Sequence, residues 1–299
     1  MAPVLLFAYA RPKHLQTAVE SLLRNAEASQ TPLVVYSDAP KTLEEQPLVD
    51  AVRRYARSIE GFASTSLIER PTNFGLARSI IDGVTAAFTL HDRVIVVEDD
   101  LVVSPHFLRY MNQALTLYAE ESRVASIHGY TYPTEETLPE TFFQRGADCW
   151  GWATWARAWQ YFDADGERLL QAIRFGRLTR EFDLNGAFKY SKMLADQVAG
   201  RNNSWAIRWH ASCFLKNMLT LYPGRSLVEN IGNDGSGTHC GVSESFNQRV
   251  AAIPVEVKLI DIRESAQARE AFEGFFRRQL PTWATRVRQL LRRALRSTV

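Results

Sequence analysis

Along its N-terminal third, the chain alternates short apolar runs with segments whose apolar residues recur at helical spacing. The apolar runs predict strands at residues 4–9, 33–38, 66–69 and 94–97. The segments between them predict helices that include residues 15–23, 49–56 and 80–88. Strands that alternate with helices through short connections form parallel sheets, so the pattern predicts an α/β fold with a mostly parallel, doubly wound, Rossmann-like sheet.

Three adjacent acids, Glu98, Asp99 and Asp100, follow the fourth predicted strand. That strand is a run of β-branched residues, which is typical of a strand buried on both faces. Its carboxyl end is where open α/β sheets bind ligands. Three neighbouring carboxylates repel one another unless a cation shares them or sugar hydroxyls donate to them. Carboxylate oxygens suit Mg²⁺ or Mn²⁺, which bridge to substrate phosphates, but a solvated acidic turn is the alternative.

Polar residues also follow the other predicted strands. Arg11 comes after the first strand, Asp38 ends the second, and Asn73 and Arg78 follow the third. Arg11 could face a base or a diphosphate, and Asp38 could accept a hydrogen bond from a base or ribose. There is no glycine-rich dinucleotide fingerprint after the first strand and no P-loop, so the pattern does not favour NAD or P-loop-bound ATP.

The segment after residue 124 predicts a further strand and then an aromatic cluster. Four of the seven tryptophans lie within residues 150–159, and the spacing of the last three predicts one face of a helix. Indole rings in such a cluster could stack on sugar rings, whereas a helix core is the alternative for Trp155 and Trp159. Trp150 and Trp152 flank a glycine, which is typical of a close-approach turn. Asp148, just before them, is a candidate general base.

Residues 202–239 carry two more candidate segments. Residues 202–210 enter a predicted helix that reaches residue 218, and residues 219–222 predict a strand. Residues 230–239 are rich in glycine and small polar residues, so Gly235 and Ser236 could offer backbone N–H groups to phosphates. His239 could complete a metal site; the alternative for this segment is a plain linker.

Residues 254–299 form a predicted tail with many arginines after residue 277 and no acids there. Its last residues predict a basic amphipathic helix of the kind that lies on an anionic membrane surface. A helix docked on the domain and a solvated tail are the alternatives.

Near the three acids, Ser104 and Pro105 predict the start of a helix, with Ser104 as its N-cap and Pro105 as its first residue.

Composition limits the class of protein. The net charge of +2 does not indicate a nucleic-acid binder, and no apolar run has the length of a membrane span. The first residues lack a basic segment, so they predict a strand rather than a signal peptide. Three cysteines without metal-ligand spacing predict reduced thiols in a cytoplasmic protein.

Four of these segments together resemble GT-A glycosyltransferases, in particular those related to N-acetylglucosaminyltransferase I and bacterial family 2-like sugar transferases. The segments are Pro-Val-Leu-Leu-Phe-Ala-Tyr-Ala-Arg at 3–11, Tyr-Ser-Asp at 36–38, Val-Val-Glu-Asp-Asp-Leu-Val-Val-Ser-Pro-His-Phe at 96–107 and Trp-Gly-Trp-Ala-Thr-Trp at 150–155. The similarity spans most of residues 3–245.

The resemblance implies an inverting enzyme that moves a hexosyl or N-acetylhexosaminyl group from a nucleotide sugar to a hydroxyl. Mn²⁺ or Mg²⁺ would be the cofactor, and the acceptor would be a glycan, a lipid-linked intermediate or a protein, as in cell-envelope polysaccharide synthesis. Residues 1–125 would bind the nucleotide sugar, residues 126–253 the acceptor, and the tail at 254–299 the inner face of the membrane. No nucleic-acid partner is expected.

The resemblance also implies roles for single residues. Asp100 would be the direct metal ligand, Glu98 and Asp99 would contact ribose and donor-sugar hydroxyls, and Asp38 with Arg11 would hold the base. The remaining implied positions are Asn73, Arg78, Gly235 and Ser236 for the donor, Trp150, Trp152, Trp205 and Arg208 for the acceptor, and Asp100 with His239 for the metal.

The catalytic base is the point of departure from the family. The pattern associated with the bacterial group is Asp-Ser-Trp-Ala-Ile-Arg-Trp, whereas this chain has Asn203 in place of the acid. Because asparagine cannot accept the proton, Asp148 and Asp234 become the candidate bases, or the enzyme is altered. A non-catalytic carbohydrate-binding relative is the alternative. A sugar nucleotidyltransferase is not favoured, since residues 8–13 lack the glycine-rich basic loop it would need.

Overall fold

The structure is a computed structural model that describes residues 1–232 and 245–279. Its strands are β1 Val4–Ala8, β2 Pro32–Ser37, β3 Ser64–Glu69, β4 Arg93–Glu98, β5 Leu101–Val103, β6 Val124–His128, β7 Thr141–Arg145, β8 Trp152–Trp155, β9 Leu219–Pro223 and β10 Val228–Asn230. Its helices are α1 Pro12–Leu23, α2 Gln46–Arg57, α3 Gly75–Ala87, α4 Phe107–Leu117, α5 Ala156–Trp159, α6 Gly166–Phe175, α7 Thr179–Phe182, α8 Tyr190–Val198, α9 Trp205–Leu215 and α10 Ala266–Gln279.

Eight strands form the central sheet, in the order β3-β2-β1-β4-β8-β6-β9-β7. The first four are parallel, β8 is antiparallel to both of its neighbours, β9 is parallel to β6, and β7 is antiparallel to β9. Six of the eight strands therefore run in one direction. This confirms the predicted mostly parallel α/β fold. Adjacent parallel strands need a crossover connection between them, which is why strands alternate with helices along the chain.

The sheet lies between two apolar layers. Along β4, Ile95 and Val97 point into the cluster that contains α1, α2 and α4, while Val94 and Val96 point into the cluster that contains α3 and α9. Successive side chains of a strand alternate between the two faces. The prediction that this strand is buried on both faces is confirmed.

A second, two-stranded sheet forms directly after the three acids. In it, β5 and β10 are antiparallel, with Leu101 opposite Asn230 and Val103 opposite Val228. The backbone N–H of Ile231 also donates to the backbone oxygen of Asp100, at 2.9 Å. The chain that leaves β10 is therefore held beside the last of the three acids.

Two predicted helix positions differ from the structure. The predicted helix through Trp152 and Trp155 is wrong, because these residues begin and end β8, which is inserted between β4 and β6. Trp152 and Trp155 face opposite layers, as strand geometry requires. Ser104 is not the N-cap of α4, which begins at Phe107; its hydroxyl instead accepts from the N–H of His106 and donates to the carbonyl of Ala251.

Residues 255–279 pack onto the central sheet. Val255 belongs to the larger apolar cluster, and Phe272 of α10 packs against Phe142 of β7 and Tyr222 of β9. No helix among the described residues has both the length and the apolar character needed to cross a bilayer. The predicted membrane-surface helix at 281–299 lies outside the described residues, and the predicted boundaries at 125 and 253 stay predictions.

Candidate functional site

The strand order brings the predicted donor residues to one edge of the sheet. β1 lies between β2 and β4, and all three are parallel. Arg11, Asp38 and the acids at Glu98, Asp99 and Asp100 therefore lie at the carboxyl ends of three neighbouring strands. This edge is the ligand-binding edge of open α/β sheets.

Two of the three acids, Asp99 and Asp100, share one guanidinium. Nη2 of Arg11 donates to Oδ1 of Asp99 at 2.5 Å and to Oδ2 of Asp100 at 2.9 Å. The backbone N–H of Tyr9 donates to the other oxygen of Asp99 at 2.9 Å. Arg11 therefore fixes the positions of Asp99 and Asp100, but one cation does not balance three carboxylates.

Burial and mutual repulsion disfavour the charged forms of two of these acids. Burial raises the pKa of Asp99 to about 7, although Arg11 opposes the shift. Burial, followed by the charges of Asp100 and Asp99, also raises the pKa of Glu98 well above its usual value. A divalent cation would relieve this repulsion, and carboxylate oxygens are ligands that Mg²⁺ and Mn²⁺ accept.

The described side chains do not form a complete metal site by themselves. In residues 1–232 and 245–279, no three His, Cys, Asp or Glu side chains converge as a complete metal-binding group. Mg²⁺ is commonly held by one or two carboxylates together with substrate phosphates and water. The acids at the end of β4 fit that kind of open site, in which the substrate completes the coordination.

Gly232 lies directly against the carboxylate of Asp100. A Cβ atom at this position would collide with Oδ2 of Asp100, so the absence of a side chain permits the approach. The N–H of Gly232 donates to the side-chain oxygen of Asn230 at 2.8 Å. The next predicted residues, Asp234, Gly235, Ser236 and His239, lie outside the described residues.

Asp38 holds the turn between β3 and α3. Its Oδ1 accepts from the N–H groups of Ala39 at 2.9 Å and Phe74 at 2.8 Å, and its Oδ2 accepts from Gly75 at 2.8 Å. Nδ2 of Asn73 donates to the carbonyl of Ala39 at 2.5 Å. With the Asp38 side chain buried and both of its oxygens occupied, its main contact is the protein itself, and its contact with a base stays a prediction.

The exposed Arg78 lies in the first turn of α3 with its guanidinium 4.1 Å from the ring centroid of Phe74. Arg70 approaches the same ring at 4.7 Å. Asp38 positions Phe74 through the backbone, so the turn presents Arg78 at the same edge as the acids. The donor-binding role of Arg78 stays a prediction.

Asp148 lies in a different environment, over the carboxyl ends of β6 and β9. Its Oδ2 accepts from the hydroxyls of Tyr132 and Tyr222, both at 2.8 Å. Burial, followed by the charge of Asp148, raises the pKa of both tyrosines. They therefore stay protonated and keep donating. Neither tyrosine was predicted from the sequence. Their positions, after β6 and at the end of β9, become informative only once these two strands are known to be adjacent.

His128 at the end of β6 completes this aromatic region. Its Nε2 accepts from the N–H of Trp150 at 3.1 Å, and burial lowers its pKa to about 4 although Asp148 opposes the shift. β6 and β9 are two and three strands away from β4. At about 4.8 Å per strand, Asp148 is displaced laterally by roughly 10–14 Å from the acids of β4.

The predicted sugar-stacking role does not fit Trp152 and Trp205. Trp152 is 0% exposed and Trp205 is 3% exposed. Their rings stack with centroids 5.3 Å apart inside a cluster that also contains Trp159 and Trp209. Neither indole has a free face for a sugar. Trp150 is only partly buried and remains the aromatic candidate, with its ring edge-to-face against Tyr130 at 4.8 Å.

Asn203 and Arg208 lie beside α3. Asn203 precedes Ser204, whose hydroxyl caps α9 by accepting from the N–H of Ile207. Asn203 and Arg208 line a cavity of ≈ 360 Å³ together with Arg78. The structure thus brings one predicted donor residue, one predicted catalytic residue and one predicted acceptor residue into one cavity.

Comparison with known proteins finds distant structural likeness. No family model and no curated protein matches the chain. A mannosyltransferase of Pyrobaculum calidifontis in complex with GDP-Man and Mn²⁺ is 14% identical, with 72% of this chain and 69% of that chain covered and a TM-score of 0.39. S. aureus TarS is 15% identical, with 49% of this chain covered and a TM-score of 0.33, and the match spans only 25% of TarS.

An apo UDP-glucose pyrophosphorylase is 11% identical, with 78% of this chain and 94% of that chain covered and a TM-score of 0.36. Identities and TM-scores of this size assign no activity. The strand order, the reversed β8 and the small β5–β10 sheet beside the acids define the architecture directly. The chain has a mostly parallel, Rossmann-like α/β fold.

Proposed function

We propose that this chain is a glycosyltransferase that uses a nucleotide-sugar donor and a divalent cation, Mn²⁺ or Mg²⁺. The observation that carries the proposal is the cluster of three carboxylates with one guanidinium at the carboxyl end of β4. A protein that keeps such a charge imbalance at a ligand-binding edge is suited to a cationic ligand. A cation with a diphosphate is the combination that nucleotide sugars provide.

Each acid then has a distinct task. Asp100, whose carboxylate lies beside Gly232, would hold the cation. Asp99 and Glu98 would accept hydrogen bonds from ribose or donor-sugar hydroxyls, with Asp99 oriented by Arg11. When bound, the cation would stabilise the negative charge that develops on the leaving nucleoside diphosphate.

Among the described residues, we assign the base to Asp148. An inverting transfer requires a carboxylate that takes the acceptor hydroxyl proton as the anomeric carbon is attacked. Asp148 is a partly exposed carboxylate on the same sheet edge, and the hydroxyls of Tyr132 and Tyr222 fix one of its oxygens. Asn203 lacks the chemistry to serve as a base.

The finer parts of the proposal rest on the sequence. They are a hexosyl or N-acetylhexosaminyl donor, a glycan, lipid-linked or protein acceptor, and Trp150 as the acceptor's stacking partner. Residues 1–125 would bind the donor and 126–253 the acceptor, and residues 281–299 would contact an anionic membrane surface.

The test is a thermal-shift screen with UDP-, GDP-, dTDP- and CMP-sugars, with and without Mn²⁺. A ligand that binds only the native state raises its apparent stability by mass action. We expect a shift with one nucleotide that requires Mn²⁺ and is lost in Asp100→Ala. Asp92→Ala is the matched control, because Asp92 precedes β4 at the opposite edge of the sheet and is largely exposed.

A folded sample that responds to no nucleotide sugar would contradict the proposal. It would favour the second candidate, a carbohydrate-binding relative without turnover, for which the observation is Asn203 in the place of an acid. A shift that survives in Asp100→Ala would instead contradict only the metal assignment.

A further inference from the structure

We infer that the groove between α3 and α9 binds an anionic group, a phosphate or a carboxylate, that belongs to the acceptor. The assignment of the anion to an acceptor rests on the proposed transferase function, whereas the binding of an anion in this groove does not. The groove is the cavity of ≈ 360 Å³, with Asn203 and Arg208 on one side and residues of α3 from Ala77 to Thr85 on the other.

The direction of α3 separates this groove from the cation site. α3 connects β3 to β4, which are parallel, so it begins at the carboxyl edge of the sheet and runs back along the face. From Ala77 to Thr85 the helix rises about 12 Å. The groove therefore extends away from Asp100, where the donor diphosphate would lie, and suits a part of the other substrate.

Arg208 carries a charge that the protein does not balance. The residue is 8% exposed, and its Nε and Nη1 donate to the carbonyls of Ser204 and Ala164, both at 3.2 Å. No carboxylate within residues 1–232 and 245–279 pairs with it, and burial lowers its pKa. Buried charges are ordinarily paired, so an anion that enters the groove would supply the missing partner.

The rest of the lining favours the same sign of charge. Arg78 adds a second guanidinium that stacks on Phe74 and has no carboxylate partner in the described part of the chain. Asp82 also lines the groove, but it forms an ion pair with Arg70 at 2.6 Å. The two arginines thus outweigh the one acid, whose charge is already balanced outside the groove.

This arrangement offers a physical reason for an asparagine, and not an aspartate, at position 203. An aspartate at this position would place a carboxylate in the same cavity as Arg208 and Arg78 and would compete with an incoming anion. An asparagine amide instead offers N–H donors without adding negative charge. The residue that breaks the expected family pattern is therefore compatible with an anion-selective groove.

The first experiment measures binding of inorganic phosphate to the full chain by thermal shift and calorimetry, without nucleotide. We expect phosphate to stabilise the wild type, and Arg208→Gln to weaken that binding at least tenfold. Arg157→Gln is the matched control, because Arg157 is also shielded from solvent and, among the described residues, donates to backbone carbonyls, those of Tyr118, Ala119 and Val124. Asp100→Ala should also keep phosphate binding.

A second variant covers the case in which Arg208→Gln does not fold. Asn203→Asp changes an exposed position in the groove and places a carboxylate there, so we expect it to weaken phosphate binding as well. Absence of phosphate binding to the wild type, or its persistence in both Arg208→Gln and Asn203→Asp, would overturn the inference.

Adding nucleotide distinguishes the acceptor from the donor. With UDP or GDP and Mn²⁺ present, phosphate should still bind, and Arg208→Gln should leave nucleotide affinity unchanged. Competition between phosphate and nucleotide at the groove, with a tenfold nucleotide defect in Arg208→Gln, would overturn the assignment to the acceptor. Failure of the proposed function would look different, because no nucleotide would bind while the phosphate result would stand.

Discussion

Two carboxylate-containing regions lie on one edge of the sheet, and the protein treats their charge in opposite ways. At the end of β4, Asp99 and Asp100 share the guanidinium of Arg11, and burial raises the pKa of Asp99 and of the adjacent Glu98. Over β6 and β9, the lone carboxylate of Asp148 accepts from two tyrosine hydroxyls, and both tyrosines stay protonated.

The difference separates a site that awaits a ligand from one that is already organised. The β4 acids, when ionised, carry an excess of negative charge that either proton uptake or an additional cation relieves, so their arrangement is suited to binding a cation. Asp148 needs no further partner to be held in place, so its arrangement suits a group whose position must be fixed before substrate arrives. Substitutions that alter one of the two regions at a time test this difference.

The largest expected effect is that of Asp148→Asn on turnover. Loss of a general base lowers the rate by about 10²–10⁴-fold. The side-chain oxygen of asparagine can still accept from both tyrosines, so the free energy of unfolding should fall by no more than about 1 kcal/mol. The measurements are kcat with the donor identified by the thermal-shift screen, and urea unfolding of the same variant.

Asn203→Asp is the counterpart of that experiment. If Asp148 is the base, an acid at position 203 should not increase kcat. A rise in kcat in Asn203→Asp, together with unchanged kcat in Asp148→Asn, would contradict the assignment. The position of the base would then be residue 203, just before α9.

Arg11→Gln should unbalance the first region further. Removing one partner of a buried ion pair costs about 3–5 kcal/mol, and here it leaves Asp99 without its cation. Because Asp99 can take up a proton, the loss in unfolding free energy should be larger at pH 8 than at pH 6, and added Mn²⁺ should restore part of it. Urea unfolding at both pH values is the measurement.

Arg57→Gln is the control for that variant, since Arg57 is exposed and pairs with Glu69 at the surface. Surface ion pairs contribute about 0–1 kcal/mol, so this variant should stay close to the wild type. Equal effects of the two substitutions would show that Arg11 does not balance the acids.

The sequence was sufficient to predict the parallel half of the sheet and the acids. A run such as 94–97 is buried whatever its neighbours are, and the end of a parallel strand has a known place in the sheet. The helix spacing of Trp152 and Trp155 misled because the same residues form a strand that is apolar on both faces. Spacing alone does not distinguish these two cases in short apolar runs.

The second region could not be predicted from local sequence. Tyr132, Asp148 and Tyr222 meet only because β6 and β9 are adjacent, and the pairing of strands far apart in the chain is not encoded in spacing. Likewise, Asp38 was predicted to contact a base from its position at a strand end, whereas the structure shows its oxygens holding the turn before α3.

The smallest expected effect is a pH dependence that arises from His128 in the second region. His128 is 1% exposed, and burial lowers its pKa from 6.5 to about 4, with Asp148 acting in the opposite direction. Between these pH values the unfolded chain binds a proton that the folded chain does not. Folding stability should therefore fall as pH falls from 6.5 towards 4, by about 3 kcal/mol at most from this group.

His128→Gln should remove that part of the pH dependence, because glutamine does not titrate and its side-chain oxygen can still accept from the N–H of Trp150. The measurement is urea unfolding at pH 7, 6 and 5, and His91→Gln is the control at a partly exposed histidine. Burial also lowers the pKa of His210, so a residual acid loss should remain in the variant. Parallel stability curves for His128→Gln and the wild type would show that His128 takes up its proton without cost in the folded state. The second region would then be accessible to water, and its contrast with the acids of β4 would not hold.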